Sequence, residues 1–356
     1  MEYIIIFFFL TFFAFLDINK HIQSKALYFI VIVALILFAG LRYKVGMDYN
    51  MYNENFTNLK GESINEQIFS IEALFIILSN LCKDFYILLL FYAIIGIGIK
   101  SYVISRMKYP YLCLLLYFGF CFLLYDMGII RQGAALSICL YSIKYIIKRD
   151  LKTFLLLIFF STIFLHRTSC FFVLAYFLFE KQINRKIFYC LLVVSSIIGF
   201  VVSADFLHRI LATMPTYFNK FSSTIDTYQQ DYVQLGLSQF RKSFLAIFFY
   251  ECLRHSKQYH GANGLLLNMY ILGVCASLIF MRFTTLSSRG TYYYCITEIL
   301  LFPICIYYMK LKFFRNMTFI ILVIYSYLYM CSIIYSDNTY SWFNQKYLPY
   351  NSILYK

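Results

Sequence analysis

TFLLLIFFSTIFLHRTSCFFVLAYFLFE, residues 153–180, is two apolar runs interrupted once, by His166–Arg167 and the small polar residues that follow. Lys152 stands before it and Lys181 after it. A helical crossing of a bilayer needs about 20 apolar residues. The stretch offers only about 28, at about 1.5 Å each, which is too few for two full crossings. The sequence therefore predicts a short or tilted hairpin that turns below the membrane surface and puts His166 and Arg167 on the floor of an external cavity.

The composition extends that reading to the whole chain. Of 356 residues, 62% are apolar and 13% charged, with a mean hydropathy of +0.70. A soluble domain shows roughly 45–50% and about 25%. One soluble core cannot hide that excess, so the surface itself is apolar and the chain is an integral membrane protein. The expected fold is all-α, a polytopic membrane-spanning helical bundle of about 12 spans. Apolar runs near 3–16, 26–41, 85–99, 111–125, 128–147, 153–165, 168–180, 187–204, 243–253, 264–281, 291–309 and 317–335 supply them. The opening MEYIIIFFFLTFFAFL has an acidic start and no small-residue cleavage site, and reads as an uncleaved first span. No polar stretch is long enough for a separate soluble domain. Residues 1–356 are thus expected to form one membrane domain with external loops 42–84 and 205–242, which excludes a tethered soluble enzyme and a nucleic-acid reader.

The net charge of +14 agrees with a membrane chain, because the lysines and arginines lie in short loops. Loops 17–25, 100–110, 144–152, 181–186, 254–260 and 310–316 hold most of them and are expected on the cytoplasmic side. Lys100 is counted with that set. Most acids, including Asp48, Glu66, Glu72 and Asp126, fall on the opposite side. This tally works only if 66–82, EQIFSIEALFIILSNLC, lies along the interface instead of crossing. The 11 cysteines form no C-x-x-C pair and mostly sit in apolar runs, as small core residues do.

With that orientation, Arg42, Asp48, Arg131, His166, Arg167, Arg282 and Arg289 all face outward, against the usual bias. GLRYKVGMDYNMYNENF (40–56) puts Arg42 at a helix end, followed by a loosening Gly46 and then Asp48, Tyr49 and Tyr52. Arg42 either snorkels or pairs with Asp48, or it offers a planar fork to phosphate while the tyrosines meet sugar rings. DMGIIRQGAALS (126–137) carries Arg131 and Gln132 into an apolar run. Gly133, Ala134 and Ala135 there allow close backbone approach. A charge at that depth costs several kcal/mol, so it pairs or lines a wet cavity; Asp126, five residues back, is off the i,i+4 spacing. In FLHRTSCFF (164–172), His166 is either a core histidine or a proton carrier. In MRFTTLSSRGTYYY (281–294), Arg282 and Arg289 bracket a hydroxyl-rich turn, as an anion clamp would. The stretch 205–242, with Phe206, Leu207, Arg209, Leu211, Tyr217, Phe218 and Lys220, reads as an amphipathic lid. No Walker loop, G-x-S-x-G, H-E-x-x-H or Rossmann fingerprint occurs, and the aspartates are too dispersed for a metal site. No cofactor and no metal are expected.

Taken in order, GLRYKVGMDYNMYNENF, RQGAALS (131–137), FLHRTS (164–169), the arginine turn 282–289 and YLPYNSILYK (347–356) resemble the EpsG-like branch of the Wzy polymerases. Those enzymes extend bacterial O-antigen, capsule and exopolysaccharide chains. Arg167 follows the histidine where that family often has a small residue. The resemblance implies a GT-C-like bundle that joins undecaprenyl-pyrophosphate-linked oligosaccharides on the periplasmic side, with membrane lipid and a chain-length regulator protein as candidate partners. Such a transfer needs cations for the departing pyrophosphate. Arg131 with Arg282 or Arg289 fits that task, with Arg42, Tyr49, Tyr52 and Gln132 also binding substrate. His166 is the first choice as base or acceptor orienter, with Asp48 behind it. The rival readings are a lipid-linked oligosaccharide flippase, an O-antigen ligase and a membrane acyltransferase. A flippase should show two related halves, and no internal repeat is visible.

Overall fold

The computed structural model describes residues 1–20, 24–60, 72–178, 182–201, 237–283, 286–335 and 347–355. Among them helix dominates, and no strand is formed beyond an isolated antiparallel bridge between Arg42 and Ser352. The fold is all-α. Each of the twelve apolar runs is helical: α1 Glu2–Lys20, α2 Lys25–Gly40, and, after two short outer helices α3 Tyr49–Asn58 and α4 Ala73–Leu81, α5 Phe85–Ile104 and α6 Pro110–Gly128. There follow α7 Ile130–Ile147, α8 Leu151–Leu165, α9 Arg167–Leu178, α10 Arg185–Val201, α11 Leu237–His255, α12 Gly261–Ile279, α13 Glu298–Tyr308 and α14 Lys312–Ile334.

Helix count and span count differ. Among the described residues α1, α5, α6, α12 and α14 are long and apolar enough to cross a membrane, whereas α2, α8, α9 and α13 are apolar but shorter. The expected dozen is not reached on length and composition because charges interrupt the remainder: Arg131 and Lys144 in α7, Arg241, Lys242, Glu251 and Arg254 in α11. The run 291–309 is divided between a short helix Tyr292–Cys295 and α13. Glu66 lies outside the described residues. What is described of 66–82 is α4, nine residues, about 14 Å at the α-helical rise and under half of a hydrocarbon core. The hairpin 151–178 is also reshaped. Its return arm α9 is a 12-residue 3-10 helix, and a rise of about 2.0 Å per residue carries it about 24 Å. It is longer than the α-helical count foresaw.

Residues Met1–Val173 with Phe302–Lys356 form one compact unit, and Leu174–Leu301 a second. The first unit has two distinct ends. At one, Asp17 closes α1 and accepts from the Tyr111 backbone N at 2.9 Å, while Tyr28 donates to Ser101 O at 2.9 Å. The last turn of α1, the start of α6, the start of α2 and the close of α5 therefore share an end, as the charge tally requires. At the other, the C-terminal YLPYNS segment is laced into the bundle. Tyr347 donates to Leu123 O (2.9 Å) and accepts at its carbonyl from Tyr3 (3.0 Å), and Tyr350 stacks on Phe38 at 4.1 Å. The Tyr43 N–H reaches Asn351 O at 2.8 Å.

The centre of this unit holds an ion pair that overturns two loop assignments. Lys100 is not a cytoplasmic loop residue and Asp126 is not an external acid. Lys100 Nζ donates to Asp126 Oδ1 at 2.7 Å and to Gly133 O at 2.8 Å, with side-chain exposures of 0% and 1%. Tyr117 donates to Asp126 Oδ2 at 2.6 Å. Isolated, either charge would cost several kcal/mol at this depth; paired and hydrogen-bonded, both are tolerated. The pair joins α5, α6 and the first turn of α7. Gly133 is required there, because a Cβ would collide with Tyr125 O.

In the second unit α10 and α11 pack on α12. Phe188 stacks on Tyr250 at 4.2 Å. Tyr259 donates to Asn268 Oδ1 at 2.5 Å, and burial pushes its phenol up to about 12.

Lys100→Met or Asp126→Leu alone should lower the unfolding free energy by about 3–5 kcal/mol, since each strands a buried charge. The double variant should regain part of that loss. Denaturant unfolding in detergent micelles measures both, and additive losses would mean that the two groups do not act as a pair.

Candidate functional site

The Arg42 loop begins where α2 ends. Arg42 donates from Nε to Val45 O at 2.8 Å and from Nη1 to Ala39 O, and so satisfies a carbonyl of the last helical turn. It is fully buried, and no carboxylate lies within ion-pair reach of it among the described residues. Neither snorkelling nor pairing with Asp48 describes it. Nε and Nη1 are committed to backbone carbonyls, and Nη2 is buried with no hydrogen-bond partner among the described residues, so Arg42 clamps the loop and is not an exposed anion fork. Burial lowers its pKa, with the surrounding tyrosines acting in the opposite sense. Gly46 follows at φ +118°, a conformation closed to most side chains, and lies against Met127 O. This turn launches α3, whose Tyr49 packs edge-on to Phe85 at 5.2 Å and whose Tyr52 leans on Phe75 at 5.7 Å. Burial raises both phenols, so they remain protonated donors at neutral pH.

Arg131 is the second residue of α7, just after a break at Ile129 (φ −92°, ψ 68°) that no side chain caps. Its guanidinium pairs with Glu72 at the start of α4 and lies 5.3 Å from the centre of the Tyr52 ring and 5.7 Å from that of Phe75. The arginine thus lies among four elements, α3, α4, α5 and α7, because the Tyr92 hydroxyl of α5 is within electrostatic reach. Gln132, beside it, is fully buried.

His166 occupies the hinge between α8 and α9 with extended backbone (φ −162°, ψ 124°). The last turn of α8, Ser161–Leu165, is π-helical and packs against α4. The imidazole is half-buried, with Nδ1 2.7 Å from Thr168 Oγ1, and Arg167 is exposed. The last turn of α8, just before His166, and the Arg131–Glu72 pair thus both adjoin α4.

Arg282 and Arg289 belong to the second unit. Arg282 donates from Nη2 to Phe200 O at 2.7 Å. Arg289 is half-buried on the π-helical turn Leu286–Gly290; Thr284 and Thr285 lie outside the described residues. So do 205–236 of the expected lid, Phe206, Leu207, Arg209, Leu211, Tyr217, Phe218 and Lys220 among them. Residues 237–242 are not loop but the first turns of α11. Two residues that the sequence reading passed over lie there. Lys242 donates to Ser277 Oγ and Ser287 O, both at 3.0 Å, and Arg241 is 3.7 Å from the buried Glu298. Glu298 also accepts from Tyr270 at 3.3 Å. An acid inside an apolar run was the available signal for Glu298. Glu72, passed over as one external acid among many, had none.

Residues 25–352 of the chain match the EpsG family. The chain belongs to that family. No curated protein and no solved structure matches it. Membership supports polysaccharide repeat-unit polymerisation at the level of the family, by a membrane-embedded chain, and the matched span takes in every motif that carried the resemblance up to Ser352.

Arg42→Leu should behave as a folding variant, losing about 1–3 kcal/mol for each carbonyl left unsatisfied. Thermal unfolding in detergent checks this, and an Arg42→Leu protein of normal stability would return Arg42 to the binding residues.

Proposed function

We propose that the chain is a glycosyltransferase that polymerises undecaprenyl-pyrophosphate-linked oligosaccharide repeat units at the outer face of the bacterial inner membrane. The observation that carries this reading is the Arg131 cluster, a half-open guanidinium over aromatic rings at the uncapped start of an 18-residue helix. The helix N-terminus of α7 and the guanidinium make that corner favourable for an anion. It suits a diphosphate, whose charge grows as the glycosyl bond breaks. Tyr52 and Phe75, both buried, back the guanidinium and hold it at the edge of the cluster.

Arg131 is assigned to the pyrophosphate. Arg282 and Arg289 are proposed as further substrate-binding cations in the second unit. Tyr49, Tyr52 and Gln132 line or support the binding loop, and the clamp at Arg42 sets its course. His166, held through Thr168, is proposed to orient the acceptor hydroxyl, with Asp48 behind it. The positive charge comes from arginines, so the reaction is proposed to be metal-independent and to draw its energy from the lipid-linked donor.

Arg131→Gln and Arg289→Gln should leave the protein in the membrane but give single-repeat glycans in place of a ladder on gels of surface polysaccharide. A normal ladder from both variants discards the arginine assignment. Deleting the gene tests the class of activity: one retained repeat means a polymerase, whereas loss of all surface glycan means a ligase or flippase.

A further inference from the structure

Among the described residues three buried cations and the half-buried Arg131 differ in how far water can reach them. Lys100 is sealed with Asp126, Arg42 is sealed on backbone carbonyls, and Lys242 is buried on serine oxygens. Arg131 is different. Its side chain keeps 18% exposure and that of its partner Glu72 keeps 9%. A sealed pair holds a fold together, while a pair reached by solvent at one edge can exchange partners. Glu72 stands just before α4 on extended backbone (φ −66°, ψ 139°), and its side chain does not cap that helix. Its ion-pair partner among the described residues is Arg131. The Tyr92 hydroxyl, within electrostatic reach of both groups, is buried with no hydrogen-bond partner among the described residues.

An anion that takes Arg131 Nη1 must displace the Glu72 carboxylate, which accepts from that nitrogen. We infer that Glu72 is the base of the transfer reaction proposed above, held idle by Arg131 until a diphosphate replaces it. The inference rests on that reading. A carboxylate paired with a guanidinium is a weak base. Once its counter-ion turns to the diphosphate, the Glu72 carboxylate is released from Arg131 Nη1 and can accept from the acceptor hydroxyl. The base is thereby armed only when the donor is in place.

In the transfer, the electron pair of the bond between the anomeric carbon and the diphosphate oxygen leaves with the diphosphate, where Arg131 holds the charge. The acceptor hydroxyl oxygen forms the new bond to that carbon. Its proton passes to the Glu72 carboxylate and from there to water. His166 orients the acceptor and Tyr52 holds the guanidinium plane, so neither needs to take the proton.

The test uses the full-length chain in membranes, with the single-repeat lipid diphosphate that accumulates in a strain lacking the gene. Glu72→Gln should lower kcat by about 10²–10⁴-fold, the range of a general base, and leave KM within about threefold. Glu72→Asp, which keeps the charge but withdraws the carboxylate by one methylene, should recover part of the rate. A Glu72→Gln enzyme with kcat within about threefold of the wild type overturns the inference. So does one whose loss lies in KM alone and matches that of Arg131→Gln, which marks a merely structural pair. If Glu72→Gln does not insert, Glu72→Asp decides: a kcat loss of about tenfold or more at unchanged KM supports the inference, and an unchanged kcat overturns it. A wild-type protein that cannot join two repeat units defeats the polymerase reading itself, and is recognised before any variant is compared.

Discussion

The ion pair between Lys100 and Asp126 fixes the part of the first unit on which the arginine cluster depends. Both oxygens of Asp126 are occupied, one by the ammonium and one by the Tyr117 hydroxyl, and the same ammonium holds the Gly133 carbonyl in the first turn of α7. In lipid, such groups cannot fall back on water, so breaking one contact strands the rest. The break at Ile129 is held from below by this network. Arg131 follows that break by two residues, so the position of its guanidinium is set by a pair it never touches.

Arginines serve two different ends here. Arg42 spends its donors on carbonyls that close α2 and shape the loop through Gly46, which is an architectural task. Arg131 meets a carboxylate and two aromatic rings at the edge of the bundle, which leaves it able to exchange one anion for another. Lys242, bound to Ser277 and Ser287, steadies the turn that carries Arg289 in the second unit. Residue type does not separate these roles. Access does, because a guanidinium without exposed surface cannot meet a substrate.

Much of the fold was legible as a line of text. The helical runs among the described residues, and the end shared by the last turn of α1 and the start of α6, followed from apolar run length and from where the lysines stood. The length of α9 did not, because the 3-10 winding that stretches it depends on packing around the His166 hinge. Loop 205–242 was read as loop to its end, and α11 begins inside it. The helical period of LSQFRKSFLAIF is blunted by two adjacent cations, whose acceptors lie far away in sequence on Ser277, Ser287 and Glu298.

By itself, the sequence determined that this chain is an apolar helical protein of the EpsG family, with its unusual cations between and at the ends of apolar runs. Run length, composition and ordered motifs are local properties, and a linear reading is enough to find them. Partners are not local. That Lys100 sits with Asp126, that Arg42 is sealed, and that Glu72 is the carboxylate opposite Arg131 were decided only when α3 to α7 packed. Charges 26 and 59 residues apart were then brought together, the first pair sealed from water and the second at the edge of the bundle.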